Sequence, residues 1–191
     1  MSIEPFIRLE AVALPLARAN IDTDQIVPAR YLQKPRSDNF GEYLFNDLRK
    51  DPAFPLNRAE YKDARIVVAG RNFGCGSSRE HAVWALADGG FRCAIAPSFG
   101  DIFAGNALKN GFLPVALPDR IVEDLLGLLA ADPGMGIGVD LEAQTVVAAN
   151  NTYSFDIAPF PKRCLLEGLD EIAYTLGQID KVAAFERQYE K

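Results

Sequence analysis

The 191 residues suit a single domain, spanning 1–191, whose core needs no disulfide or metal staple, and 49% hydrophobic with 24% charged residues is an ordinary globular composition. A net charge of −6 argues against nucleic acid as a partner, although a local patch of Arg65, Arg71 and Arg79 would suit a small anion. No apolar run reaches membrane-spanning length, and residues 1–10 lack a basic region followed by an apolar one, so no membrane association and a cytoplasmic location are expected.

Along the chain, residues 7–16 are rich in Val, Leu and Ala and read as a first strand with Pro15 near its end. Asn20, Asp22, Thr23 and Asp24 are turn and cap formers ahead of the inward-pointing Ile26-Val27. Their spacing, with no glycine, does not fit an EF-hand calcium loop. Residues 40–48 place Tyr43, Leu44 and Leu48 as a short amphipathic helix would, and residues 51–57 form a proline-broken loop.

Residues 65–69 (Arg-Ile-Val-Val-Ala) read as a buried strand, and residues 81–88 as a helix stopped by Gly89-Gly90. Between them lies Gly-Arg-Asn-Phe-Gly-Cys-Gly-Ser-Ser-Arg-Glu, residues 70–80. Gly74 and Gly76 permit positive φ and a close ligand, and the helix start offers unpaired N–H groups that favour an anion. Ser77, Ser78 and Arg79 add two hydroxyls and a guanidinium fork matched to a carboxylate. The same letters also fit a capping box, with Ser77 as N-cap and Glu80 at N3, and spacing alone leaves both readings open.

Further on, residues 92–96 form another strand. Ser98 is placed to cap a helix over 99–109 that ends at Asn110-Gly111, and residues 112–117 form a third strand. This βαβαβ order predicts a parallel sheet flanked by helices. Residues 118–131 are the clearest amphipathic helix. Then the period changes to short strands at 138–142, 145–148 and 153–157, turning at Ala143-Gln144 and Asn150-Asn151. Helices over 162–167 and from an N-cap at Asp170 to about residue 190 close the chain, the last of them solvated or facing a partner. Cys75, Cys93 and Cys164 are odd in number and far apart, and His81 is the single histidine. A disulfide framework and a metal site held by this chain are therefore not expected. Cys93 reads as core, Cys164 as core or half-buried on a helix, and Cys75 as a thiol near the motif with no assigned role.

The string Gly74-Cys75-Gly76-Ser77-Ser78-Arg79-Glu80-His81-Ala82 resembles the active-site signature of the swivelling domain in the aconitase superfamily. Asp22-Thr23-Asp24-Gln25-Ile26-Val27-Pro28 followed by Tyr31-Leu32 is similar to the entry segment of 3-isopropylmalate dehydratase small subunits, and the likeness runs from Ile21 to Glu171. One departure is Val83, where related chains often carry proline. The resemblance implies an α/β swivelling domain of β/β/α type, with a mostly parallel sheet flanked by helices and short C-terminal β-hairpins and helices. It implies Ser77 as the catalytic base and Ser78 and Arg79 as carboxylate binders. The loop of Tyr31, Leu32, Gln33 and Lys34 is implied to face the substrate's side chain, and Asn106 lies on a helix beside the motif helix. It further implies a small dicarboxylate substrate, no cofactor on this chain, and a 4Fe-4S cluster on a large subunit that completes the site. A related hydro-lyase acting on citramalate or a homoaconitate-type acid is the alternative within the class. A stand-alone anion-binding module is the alternative outside it.

Overall fold

The computed structural model describes residues 3–36, 39–77 and 79–189. Its centre is a seven-stranded mixed sheet in the order β4-β3-β2-β1-β5-β6-β7. The strand β1 (Arg8–Leu16) belongs to both halves. Ala13 to Leu16 pair in parallel with β2 (Ile66–Ala69), whereas Arg8 to Val12 pair antiparallel with β5 (Gly136–Asp140). Pro15 falls in the parallel-paired half, where β5 no longer lies alongside and a missing N–H leaves no ladder partner stranded. The strands β3 (Cys93–Ala96) and β4 (Leu113–Ala116) extend the parallel half. On the other side β6 (Thr145–Ala148) and β7 (Asn151–Ser154) extend the antiparallel half.

Every residue of β2 and β3 is buried, which explains their continuous apolar spelling: both faces of a parallel sheet are covered. Val67, Ala69, Ala94 and Ala96 point into one core with the helices α2 (Glu80–Asp88) and α3 (Asp101–Lys109) and several aromatics of residues 40–61. Ile66, Val68, Cys93 and Ile95 point into a second core, sealed by Val122, Leu125 and Leu129 of α4 (Asp119–Ala131). Those three residues repeat at helical spacing, so α4 buries one face as its pattern predicts.

Four expectations shift. Residues 40–48 form not one helix but two 3-10 turns, Phe40–Tyr43 and Leu48–Lys50. Phe45 at φ 51 lies between them, its N–H bonded to the Ile26 carbonyl, so that Leu44 and Phe45 can both enter the core. The last strand lies at 151–154, not 153–157, because Ala148 pairs Asn151 and leaves a two-residue turn at Ala149-Asn150. The first strand of these hairpins spans 136–140, its register set by β1. Beyond α5 (Pro159–Glu167), the long C-terminal helix is two, α6 (Glu171–Leu176) and α7 (Ile179–Tyr189), parted at Gly177. Asp170 does cap α6, its carboxylate accepting the Ala173 N–H at 2.6 Å.

Candidate active site

The carboxyl ends of β1, β2 and β3 lie side by side, and open α/β sheets bind ligands at that edge. The loop after β2 runs between the loops that follow its two neighbours and is tied to both. On one side Gly74 donates to the Ile21 carbonyl at 2.8 Å and Asn20 to the Arg71 carbonyl at 2.8 Å. On the other, Phe73 donates to the Ser98 carbonyl at 3.0 Å and Gly100 to the Phe73 carbonyl at 2.9 Å. Ser98 does not cap α3, whose N-cap is Gly100; its hydroxyl instead accepts the Asn72 N–H at 3.0 Å. Gly74 has no substitute here: φ is +71°, and an added Cβ would sit 2.2 Å from the Phe103 ring.

The short helix α1 (Thr23–Ile26) grips the motif from the β1 side. Asp22 caps it by accepting the Gln25 N–H at 2.7 Å. Thr23 donates its N–H to the Cys75 carbonyl at 2.9 Å and its hydroxyl to the Ser77 carbonyl at 2.9 Å. Asp24 takes the Arg79 Nη1 at 2.6 Å and also the Ala29 N–H at 2.8 Å. Those two donors, Arg79 first, hold the Asp24 carboxyl below the usual carboxylate range, although burial opposes them. Cys75, Ser77 and Arg79 are thus held at alternate positions by Thr23 and Asp24.

Ser77 is exposed, at the lip of a cleft of about 160 Å³ that it shares with Gly74, Gly76, Gly100, Asp101 and Phe103. The capping box is not formed. Arg79 is the N-cap of α2 in an extended conformation without a side-chain cap bond, and Glu80 accepts from Asn110 Nδ2 at 2.8 Å. With Gly76 at φ +91° and Arg79 extended, the chain enters the helix only at Glu80, so Ser77 stands ahead of the cap and clear of it. Ser78 lies outside the described residues. Burial, then the Asp22 carboxylate, pushes the Cys75 thiol up, away from thiolate chemistry.

The loop at 31–34 divides. Tyr31 stacks on Tyr43 at 4.2 Å and donates its hydroxyl to Asn46 Oδ1 at 3.1 Å, so its ring is committed to the protein. Leu32 is half-buried against the aromatic core, whereas Gln33 and Lys34 are exposed. The His81 ring lies beside the Leu32 backbone and packs on Trp84 at 4.5 Å and Phe40 at 5.4 Å. Burial holds His81 below its ordinary value, so it is neutral at pH 7. Through that imidazole the loop is joined to the first turn of α2.

Several sequence candidates are not brought together. Arg65 precedes β2 and Arg71 follows it, where Arg71 pairs with Asp119 at 2.8 Å, so the three-arginine patch does not assemble. Asn106 is half-buried on α3, its carbonyl bonded to Asn110. Cys93 is buried within the sheet, Cys164 is buried on α5, and Cys75 is at the site edge. Thiols so dispersed do not fit an iron–sulfur cluster. Among the described residues no group of three or more His, Cys, Asp or Glu is placed to hold a metal ion, and no helix is long and apolar enough to cross a membrane.

Thr23, Asp24 and His81 are the site residues that sequence reasoning left without a role. The signal was present in Asp-Thr-Asp, where a threonine sits inside a polar turn, but its partner lies 54 residues away.

Residues 3–120 match the family model described as the aconitase C-terminal domain, and the chain belongs to that family. Residues 123–159 match a second model, LeuD_N. Among solved structures, a 3-isopropylmalate dehydratase from Methanocaldococcus jannaschii is similar, with 26% identity and a TM-score of 0.69. The likeness covers 94% of this chain and 99% of that one.

Proposed function

We infer that this chain is the small subunit of 3-isopropylmalate dehydratase, the hydro-lyase that interconverts 2- and 3-isopropylmalate by dehydration and rehydration in leucine biosynthesis. The partner is a large subunit, which together with this chain forms a heterodimer or a higher assembly in the cytoplasm. The 4Fe-4S cluster implied by the family belongs to that subunit.

Dehydration needs a base for a poorly acidic C–H, clamps for two carboxylates and a Lewis acid for the departing hydroxide, and the partner's cluster would supply the last of these. Ser77 is the base. A serine hydroxyl is a weak acid, so it takes a proton only where its alkoxide is stabilised in a site without water. The observation that carries the reading is the contrast at Ser77, whose backbone is anchored by Thr23 while the residue itself stands exposed at the cleft lip. Such a group is presented for chemistry, yet in the free chain it lies in water. Docking of the large subunit over this edge would exclude that water and bring α2's positive end into play.

Ser78 and Arg79 bind a carboxylate. Asp24 engages Nη1 of Arg79, which leaves the edge made of Nε and Nη2 for a bidentate pairing. Gln33 and Lys34, the exposed half of the 31–34 loop, face the substrate's side chain, with Tyr31 and Leu32 as the buttress behind them.

The test is reconstitution without oxygen. This chain and its large subunit, each purified, should turn over 2-isopropylmalate only when mixed, and Ser77→Ala should slow turnover about 10²–10⁴-fold while the complex still forms. A bare chain that binds a dicarboxylate tightly, with turnover in the mixture indifferent to Ser77→Ala, would make it an anion-binding module instead.

A further inference from the structure

Thr23 is 2% exposed and is the only buried polar side chain among the described residues. Burying a hydroxyl is unfavourable unless it is bonded, so the identity of its acceptor is informative. Both donors of this residue go to the serine motif, the N–H to Cys75 and the Oγ1–H to the carbonyl of Ser77 itself. The segment they hold contains the conformationally freest residue in the vicinity. Gly76 has φ +91°, and a Cβ there would lie in ordinary contact with Asp22 and Thr23, at 3.5 and 3.8 Å. A serine that follows such a glycine needs an external restraint to keep its hydroxyl at one point.

We propose that Thr23 is the positioning residue for Ser77: its buried hydroxyl fixes the Ser77 carbonyl, and with it the placement of the base over the cleft. The proposal rests on Ser77 being the base. Thr23 does not touch substrate. It acts only through the serine it holds. A misplacement of about 1 Å at a reacting group lowers a rate by about a hundredfold, so a lost anchor should be visible in kcat.

The experiment uses the reconstituted two-subunit enzyme with 2-isopropylmalate. Thr23→Val keeps the shape and the backbone N–H but removes the hydroxyl. It should lower kcat by about tenfold to a hundredfold with KM within about twofold of wild type. Thr23→Ser, which restores the hydroxyl without the methyl group, should recover most of that loss. A residue that only fills space would give the opposite order, with Thr23→Val close to wild type and Thr23→Ser impaired, and that result overturns the proposal. If Thr23→Val does not assemble, Thr23→Ser against Thr23→Ala makes the same comparison, since those two differ by the hydroxyl alone. Equal kcat in that pair would also overturn it. Failure of the underlying assignment looks different: wild-type mixtures would then be inactive, or Ser77→Ala would remain active.

Discussion

The two halves of the sheet share β1 and little else. In the parallel half, β2 and β3 are buried at every position, and three successive loops at their carboxyl ends are cross-tied by backbone and side-chain bonds. In the antiparallel half, β7 is largely exposed, and Val147 of β6 is 42% exposed. Beyond it, α6 and α7 leave Ile172, Leu176, Ile179 and Phe185 more than half exposed. The difference teaches where function can be housed. A parallel sheet covered on both faces leaves only its strand ends free, so the loops there can be anchored firmly enough to aim a side chain. The hairpins mainly extend the sheet beyond β1 and close the second core.

One substitution made in both halves would break or sharpen this contrast most strongly. Gly74→Ala forces a Cβ into the Phe103 ring at positive φ and should destabilise the fold by about 2–5 kcal/mol. Gly138→Ala meets only Val147, at 3.7 Å, and should leave stability within about 1 kcal/mol of wild type, on the stabilising side. Urea unfolding of both variants checks the pair, and equal losses would erase the distinction.

Next in size is Arg79→Lys. A point charge cannot hold Asp24 with one nitrogen and clasp a carboxylate with two others, so KM for 2-isopropylmalate should rise by about tenfold with a smaller change in kcat. Steady-state kinetics on the reconstituted enzyme decides it. Smallest is the pH effect of the Arg79–Asp24 pair. Because the folded Asp24 carboxyl is lowered, its stabilisation is present above the ordinary carboxylate value near 4 and is lost as pH falls through the folded one. Asp24 is 57% exposed, so solvent screening keeps the contribution within about 1 kcal/mol. Unfolding stabilities of wild type and Asp24→Asn should differ at pH 6, and the difference should shrink as pH falls below the ordinary carboxylate range.

The parallel half was the legible half. Strands with two buried faces spell themselves as Ile-Val-Val-Ala and Cys-Ala-Ile-Ala, and α4 shows its face at regular spacing. The serine motif was legible too, as strand, glycine-rich turn and helix. Whether Ser77 caps the helix was not, because local spacing cannot show that its carbonyl is held from 54 residues upstream or that the helix begins only at Glu80. The helix expected at 40–48 is interrupted at Phe45, whose left-handed backbone and N–H bond to the Ile26 carbonyl, 19 residues upstream, local spacing cannot show. The break at Gly177 was not expected, because a single glycine inside a helical pattern is tolerated at modest cost.

The central claim is that Ser77, held on the anchored edge of the parallel half, is the base of a site completed by a second subunit. Its most direct test is single-turnover dehydration of 2-isopropylmalate by the large subunit mixed with either wild-type chain or Ser77→Ala, with complex formation measured in the same samples. Wild type should react only in the mixture, and Ser77→Ala should form the same complex yet react about 10²–10⁴-fold more slowly. An undiminished rate in the Ser77→Ala complex would contradict the account.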